Sequence, residues 1–194
     1  MLKNWLRSPK HVATAVPSSR YLAHAMAAQI PNPSCGNYLE LGAGTGAITS
    51  GIIGAGVAEE RLWVVEANPE LAGVVRKRFP STHVLEVDAR NIDACLRDNQ
   101  VQAVNGILSS LPMLNFSPTL QIEILSSALA LATPDAPLIQ YTYGLKNPLA
   151  QETLETLNLT GRRVATVFRN IPPAHVWVYH RQNGNQCPAS SGGT

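Results

Sequence analysis

The chain has 194 residues, 45% of them hydrophobic and only 14% charged, with 15 Lys and Arg against 13 Asp and Glu for a formal net charge of +2. At ~150 residues per domain the length accommodates one complete domain and no separate catalytic one. Low charge and near neutrality exclude a disordered polyelectrolyte and a protein that coats nucleic acid along its whole surface.

In chain order, residues 1–16 place Leu2, Trp5, Leu6, Val12 and Ala13 on one side at helical spacing. Lys3, Arg7 and Lys10 fall on an adjacent stripe, the pattern of a helix lying in a membrane interface, and Ser8-Pro9 divides it into two short pieces. The same pattern also fits an N-terminal helix packed on the core with solvated cations. No secretory signal is expected, because no long apolar run follows the early charges. Ser18 or Ser19 caps a helix to about Gln29, ended by the proline-rich turn at 31–34.

From there strands and helices alternate. Strands are predicted over 38–41, 62–66, 83–87, 102–108 and 137–143, and helices over 45–54, 70–78, 91–98 and 118–131. Such alternation means βαβ units and a mostly parallel sheet. Two further apolar runs, 163–169 and 175–180, have no helix between them and read as a closing antiparallel pair. The expected fold is therefore α/β: a Rossmann-like, mostly parallel seven-stranded sheet with an antiparallel edge strand and helices on both faces. The expected organisation is a helical, membrane-facing extension over 1–34, a catalytic domain over 35–182 and a disordered tail over 183–194.

The uncharged stretch 41–58 reaches the minimum length of a spanning helix, but six of its 18 residues are glycine, so it reads as a loop and a short helix. Cys35, Cys95 and Cys187 are too few and too scattered for a disulfide framework or a CxxC site. A cytoplasmic chain without a metal is expected. The charge is sorted along the chain. Residues 1–39 carry Lys3, Arg7, Lys10 and Arg20 and no acid, and residues 156–194 carry Arg162, Arg163, Arg169 and Arg181 and no acid. The ends thus hold +8 and the body −6, which points to an anionic partner for the termini.

The chemistry-bearing motif is Glu40-Leu41-Gly42-Ala43-Gly44-Thr45-Gly46, between a predicted strand and a predicted helix. Glycines there allow a tight turn and let a ligand lie against bare backbone at a helix start. Gly42-x-Gly44-x-x-Ala47 also satisfies a dinucleotide fingerprint, with Glu66 where a ribose-binding acid belongs. Three features favour S-adenosylmethionine over a nicotinamide cofactor. Glu40 stands two residues before the first glycine, Asp88-Ala89 closes the third strand where an adenine amino group needs an acceptor, and the chain has no room for a hydride-acceptor domain.

With WLRSP (5–9), AVPSSRYLAHAMA (15–27), ELGAGTGAIT (40–49), ERLWVVEANPE (60–70), RKRFP (76–80), SSLPML (109–114), IQYTYG (139–144) and FRNIPPAHVWVYHR (168–181), the chain resembles the short soluble bacterial phospholipid N-methyltransferases. That resemblance implies stepwise methylation of phosphatidylethanolamine toward phosphatidylcholine, with the enzyme peripheral at the inner face of the cytoplasmic membrane. It implies a cofactor site of Ser18, Ser19, Glu40, Gly42, Ala43, Gly44, Thr45, Gly46, Glu66, Ala67, Asp88, Ala89 and Ser109. The membrane contact would come from Leu2, Lys3, Trp5, Leu6, Arg7 and Lys10. Ala43 stands where the family often has proline, and Asn105 where an acid is usual.

A second resemblance is to ribosomal RNA adenine N6-dimethyltransferases, but Ser110-Leu111-Pro112-Met113 lacks the amide and the aromatic that grip a flipped base. An inactive cofactor-binding module is the non-enzymatic alternative. No nucleic-acid partner is expected. None of the five histidines is expected at a strand end facing the pocket, so no general base is assigned. Tyr141, Tyr143 and Ser110 are the candidate catalytic residues. Tyrosine faces suit a substrate that becomes more cationic with each methyl.

Overall fold

The computed structural model describes residues 20–182. The expectations placed on Leu2, Lys3, Trp5, Leu6, Arg7, Lys10, Ser18 and Ser19, and on the tail from residue 183, lie outside the described residues. Seven strands form one sheet: β1 (Asn37–Leu41), β2 (Leu62–Val65), β3 (His83–Leu85), β4 (Val104–Ser109), β5 (Leu138–Thr142), β6 (Leu159–Val167) and β7 (Ala174–Arg181). Among the described residues six α-helices accompany them: α1 (Arg20–Ala27), α2 (Ala47–Gly54), α3 (Pro69–Arg78), α4 (Ile92–Asp98), α5 (Pro118–Leu129) and α6 (Gln151–Thr156).

The strand order is β3-β2-β1-β4-β5-β7-β6. Strands β1 to β5 pair in parallel, and β7 runs against both β5 and β6. This is the expected sheet, with antiparallel pairing confined to the expected side; the reversed strand is β7, one place in from the edge strand β6. The order turns back between β1 and β4, and the crevice outside the carboxyl ends of strands at such a switch point is where open α/β sheets take ligands.

Period-two alternation along the strands builds two cores. Leu39, Leu41, Trp63, Val65, Ile107 and Leu138 face one side, beneath Ile92 and Leu96 of α4 and Ile124, Leu125 and Ala128 of α5. Tyr38, Leu62, Val64, Leu108 and Ile139 face the other, beneath Leu22 and Met26 of α1, Ile48 and Ile52 of α2 and Val75 of α3. Each fully buried aliphatic side chain contributes roughly 1.5–3 kcal/mol. Helix α1 therefore belongs to the same core as the sheet. It lies so close to α2 that a Cβ on Gly51 would stand 2.8 Å from that of Ala23.

Local chemistry starts the helices. Asn68 accepts from the backbone N–H groups of Glu70 and Leu71 at 2.9 and 3.2 Å, and Pro69 occupies the first turn of α3. Ser117 and Pro118 do the same for α5.

Several boundaries and one helix depart from the sequence expectations. Strand β3 ends at Leu85 rather than residue 87, because Asp88 caps a short 3-10 turn at Ala89–Asn91. Strand β6 begins at Leu159 rather than 163, since Leu159, Thr160 and Gly161 pair with Arg181, His180 and Tyr179 of β7. Helix α6 has no counterpart among the predicted elements. Among the described residues no helix is long and apolar enough to cross a membrane.

Candidate active site

The sheet ladder continues past the strand ends and sets the site loops side by side. The Gly42 N–H donates to the Val65 carbonyl and the Ser110 N–H to the Leu41 carbonyl, both at 2.8 Å. This brings together the loop after β1, the end of β2 and the loop after β4. Residues Gly42, Gly44 and Gly46 have φ of +74°, +57° and +82°, the left-handed region that favours glycine. A Cβ on Gly44 would meet nothing within 4 Å, so the middle of this loop is an open cradle of backbone.

Two buried acids flank the cradle. Alternation turns Glu40 toward α2, where its Oε2 accepts from Thr49 Oγ1 at 2.7 Å. The side chain is fully buried, and its Oε1 has no hydrogen-bond partner among the described residues. Burial, with a smaller contribution from the nearby Glu66 charge, pushes its carboxyl up to about 7. Glu66 is also buried, and it ties the cradle in place: Oε2 accepts from the Gly44 N–H and Oε1 from the Asn68 N–H, each at 2.9 Å. Each carboxylate oxygen retains a second lone pair for a ligand hydroxyl.

Asp88 and Ala89 stand beyond β3. The Asp88 carboxylate is clamped by Arg90, with Oδ1 to Nε at 3.0 Å and Oδ2 to Nη2 at 2.8 Å, and it also caps the Arg90 N–H. Its structural duty is therefore greater than the sequence suggests. The Thr45 carbonyl accepts from Arg78, and Ala67 follows Glu66 on the same edge.

On the other side of the switch point, Ser109 is fully buried at the end of β4, while Ser110 Oγ is buried without a partner among the described residues. Tyr141 of β5 and Tyr143, just past its end, meet edge to face, with ring centroids 5.5 Å apart and planes at 72°. Tyr141 is half-buried against the core; Tyr143 is exposed. The loops after β4 and β5 touch, since a Cβ on Gly144 would lie 2.7 Å from Leu114 Cδ1.

Three residues that sequence reasoning missed support these loops. Gln140, buried in β5, donates through Nε2 to the Leu111 carbonyl at 3.0 Å, and its Oε1 has no partner among the described residues. A single amide inside the apolar run Leu138-Ile139-Gln140 is its one sequence signal. Gln121 of α5 donates to the carbonyls of Met113 and Pro148 at 2.8 and 3.2 Å and accepts from the Ala150 N–H and Thr153 Oγ1, both at 2.9 Å. His175 stands at a strand end on this edge, where no histidine facing the pocket is expected. It opens β7 opposite Thr142, at the carboxyl end of β5, because β7 runs in reverse. The ring is buried and bonded to Thr166 Oγ1 at 3.0 Å.

The residues fit S-adenosylmethionine. A buried carboxylate with a spare acceptor suits a cationic amino group, an open glycine cradle suits close backbone approach, and acids after β2 and β3 suit ribose and adenine.

No protein-family model matches the chain. It is 29% identical over 134 residues to the ornithine lipid N-methyltransferase of Singulisphaera acidiphila, covering 68% of this chain and 70% of that one. Among solved structures, TrmN from Thermus thermophilus superposes with a TM-score of 0.66 at 18% identity over 88% of this chain, which spans only 51% of that protein's length. Magnesium protoporphyrin IX methyltransferase from Synechocystis PCC 6803, with bound S-adenosylmethionine, matches with a TM-score of 0.64 at 10% identity over 84% of this chain and 79% of that one. The TehB-like S-adenosylmethionine-dependent methyltransferase of Corynebacterium glutamicum matches with a TM-score of 0.62 at 14% identity over 93% and 97%. The chain has the class I methyltransferase fold, and its sequence resembles a bacterial lipid N-methyltransferase.

Proposed function

We propose that this chain is an S-adenosylmethionine-dependent N-methyltransferase that methylates the amine of phosphatidylethanolamine, and then its mono- and dimethyl forms, toward phosphatidylcholine. The observation that carries the methyltransferase part is the glycine cradle between two buried acids, one of them with an oxygen that no described residue partners, on this fold. The lipid part is supported by the likeness to an ornithine lipid N-methyltransferase and by the motifs shared with phospholipid N-methyltransferases.

In this reading Glu40 receives the amino group of the cofactor, the backbone of residues 42–46 lies along it, Glu66 takes the ribose hydroxyls, and Asp88 with Ala89 borders the adenine. Ser18 and Ser19 reach the carboxylate, and Ser109 closes the site from β4. When bound, the cofactor supplies an electrophilic methyl group for in-line displacement by a neutral amine. A primary amine with a pKa near ~10.4 is neutral in roughly one molecule in 10³ at pH 7, so the chain's task is to desolvate and align it. Ser110 Oγ, which no described residue partners, is an acceptor for an amine N–H group, and Gln140 fixes the adjoining loop through the Leu111 carbonyl. Tyr141 and Tyr143 offer ring faces to the growing cation.

The N-terminal stripe of Leu2, Lys3, Trp5, Leu6, Arg7 and Lys10 brings the enzyme to the inner face of the membrane as a peripheral protein. An RNA substrate is disfavoured, because Met113, where the RNA enzymes carry their stacking aromatic, is 1% exposed and belongs to the core.

Labelled S-adenosylmethionine, incubated with phosphatidylethanolamine vesicles, ornithine lipid vesicles or bulk RNA, tests the proposal. Label is expected in phosphatidylethanolamine. Transfer to ornithine lipid alone would move the substrate to that lipid, and transfer to RNA or to nothing would overturn the reading.

A further inference from the structure

Six large hydrophobic side chains are exposed among the described residues, and five of them share one edge of the sheet: Leu114 at 47%, Tyr143 at 40%, Leu145 at 76%, Phe168 at 77% and Ile171 at 81%. Leu114 follows β4, Tyr143 and Leu145 follow β5, and Phe168 and Ile171 tip the turn between β6 and β7. These loops adjoin. His175 pairs with both Thr142 and Thr166, which sets the β6–β7 turn beside the end of β5. Scattered exposed leucines are ordinary in proteins, but a cluster on the edge that carries the cofactor cradle is not.

The charges around this cluster all have one sign. Residues 110–117, 143–150 and 168–173 contain Lys146 and Arg169 and no acid. Arg169 and Arg20 converge on Tyr21, their guanidinium carbons 5.1 and 5.0 Å from its ring centroid and their N–H groups 3.4 and 3.1 Å from its hydroxyl. Neither forms an ion pair with a described carboxylate. Two like charges drawn to one phenol, with apolar tips beside them, complement an anionic surface laid over an apolar interior.

We propose that this edge is a lipid-docking surface: Phe168 and Ile171 enter the acyl boundary of the bilayer while Arg169 and Arg20 hold phosphodiester groups above it. The proposal rests on the lipid-substrate reading and adds to it a membrane contact separate from the N-terminal stripe. It places the mouth of the site directly against the bilayer, so a head-group amine reaches Tyr143 without leaving the membrane.

Co-sedimentation of the full chain with phosphatidylcholine vesicles, with and without phosphatidylglycerol, tests it. The double variant Phe168→Ser/Ile171→Ser is expected to bind both kinds of vesicle about tenfold more weakly. Arg169→Gln is expected to lose only the part of binding that needs phosphatidylglycerol and low salt. Affinity for S-adenosylmethionine, and methylation of detergent-dispersed lipid, should stay at the wild-type level and so exclude misfolding.

In a Trp5→Phe/Phe168→Trp chain, brominated acyl chains should quench indole emission that they leave unquenched in the Trp5→Phe chain. Wild-type vesicle binding by the double variant would overturn the proposal, and so would a dimer that these substitutions dissolve while vesicle binding persists. If no lipid is methylated yet the Trp5→Phe/Phe168→Trp chain is quenched, the substrate reading falls and the docking surface stands. If vesicle phosphatidylethanolamine is methylated and bound equally well by the double variant, the reverse holds.

Discussion

Replacing Glu40 by Gln separates the electrostatics of the cradle from its shape. The carboxyl rises from 4.5 to about 7 because it is fully buried. Between those pH values the native protein keeps a proton that the unfolded chain has released, so native stability falls as pH rises and levels off above the folded value. At ~1.36 kcal/mol per unit the loss is about 3 kcal/mol. For a domain of this size that corresponds to roughly 10 °C in Tm. The substituted amide does not titrate, and its oxygen can still accept from Thr49. It buries an unpartnered N–H pair at a pH-independent cost of ~1–3 kcal/mol.

Thermal melts of the ligand-free protein from pH 4 to 9 should therefore show a wild-type curve that declines toward neutral pH relative to the variant. A cationic amino group arriving at Glu40 draws the proton out, so binding at pH 7 should release about half a proton. Calorimetry in two buffers of different ionisation enthalpy measures this release. Glu40→Gln should abolish it and weaken cofactor binding at least tenfold. Parallel stability curves, or undiminished cofactor affinity in the variant, would refute the reasoning.

Gly44→Ala is strained by a φ of +57° yet meets no neighbouring atom, so it should cost only ~1–2 kcal/mol of stability in chemical denaturation while S-adenosylmethionine affinity falls far more. Tyr143→Ala should reduce turnover at least tenfold and leave cofactor affinity unchanged; equal turnover would remove the tyrosine from the site. Gly51→Ala forces α1 and α2 apart, because its Cβ would stand 2.9 Å from the Ala23 carbonyl oxygen, and denaturation should show a loss of ~1–3 kcal/mol.

The cradle is legible in the sequence because left-handed backbone selects glycine, and the strands around it because burial on both faces makes continuous apolar runs. Glu40 is legible as a position but not as a proton holder, since its burial comes from α2 folding over it and bonding through Thr49. Helix α6, Gln151–Thr156, has no apolar period to read; it is held by Gln121 of α5, 32 residues from Thr153 in the chain. His175 escapes a linear reading for a topological reason. Its place on the ligand edge follows from β7 running backward between β5 and β6.

Gln121 has a further consequence. One amide on α5 grips the loop after β4 at Met113, the loop after β5 at Pro148, and α6 at Ala150 and Thr153. The β4–β5 side of the mouth is thereby divided into two short arcs, residues 114–117 and 143–147, hung between fixed points. Changes of residue type within those arcs can recut the opening for a different ligand, while the pins, and the loops across the switch point, stay where they are.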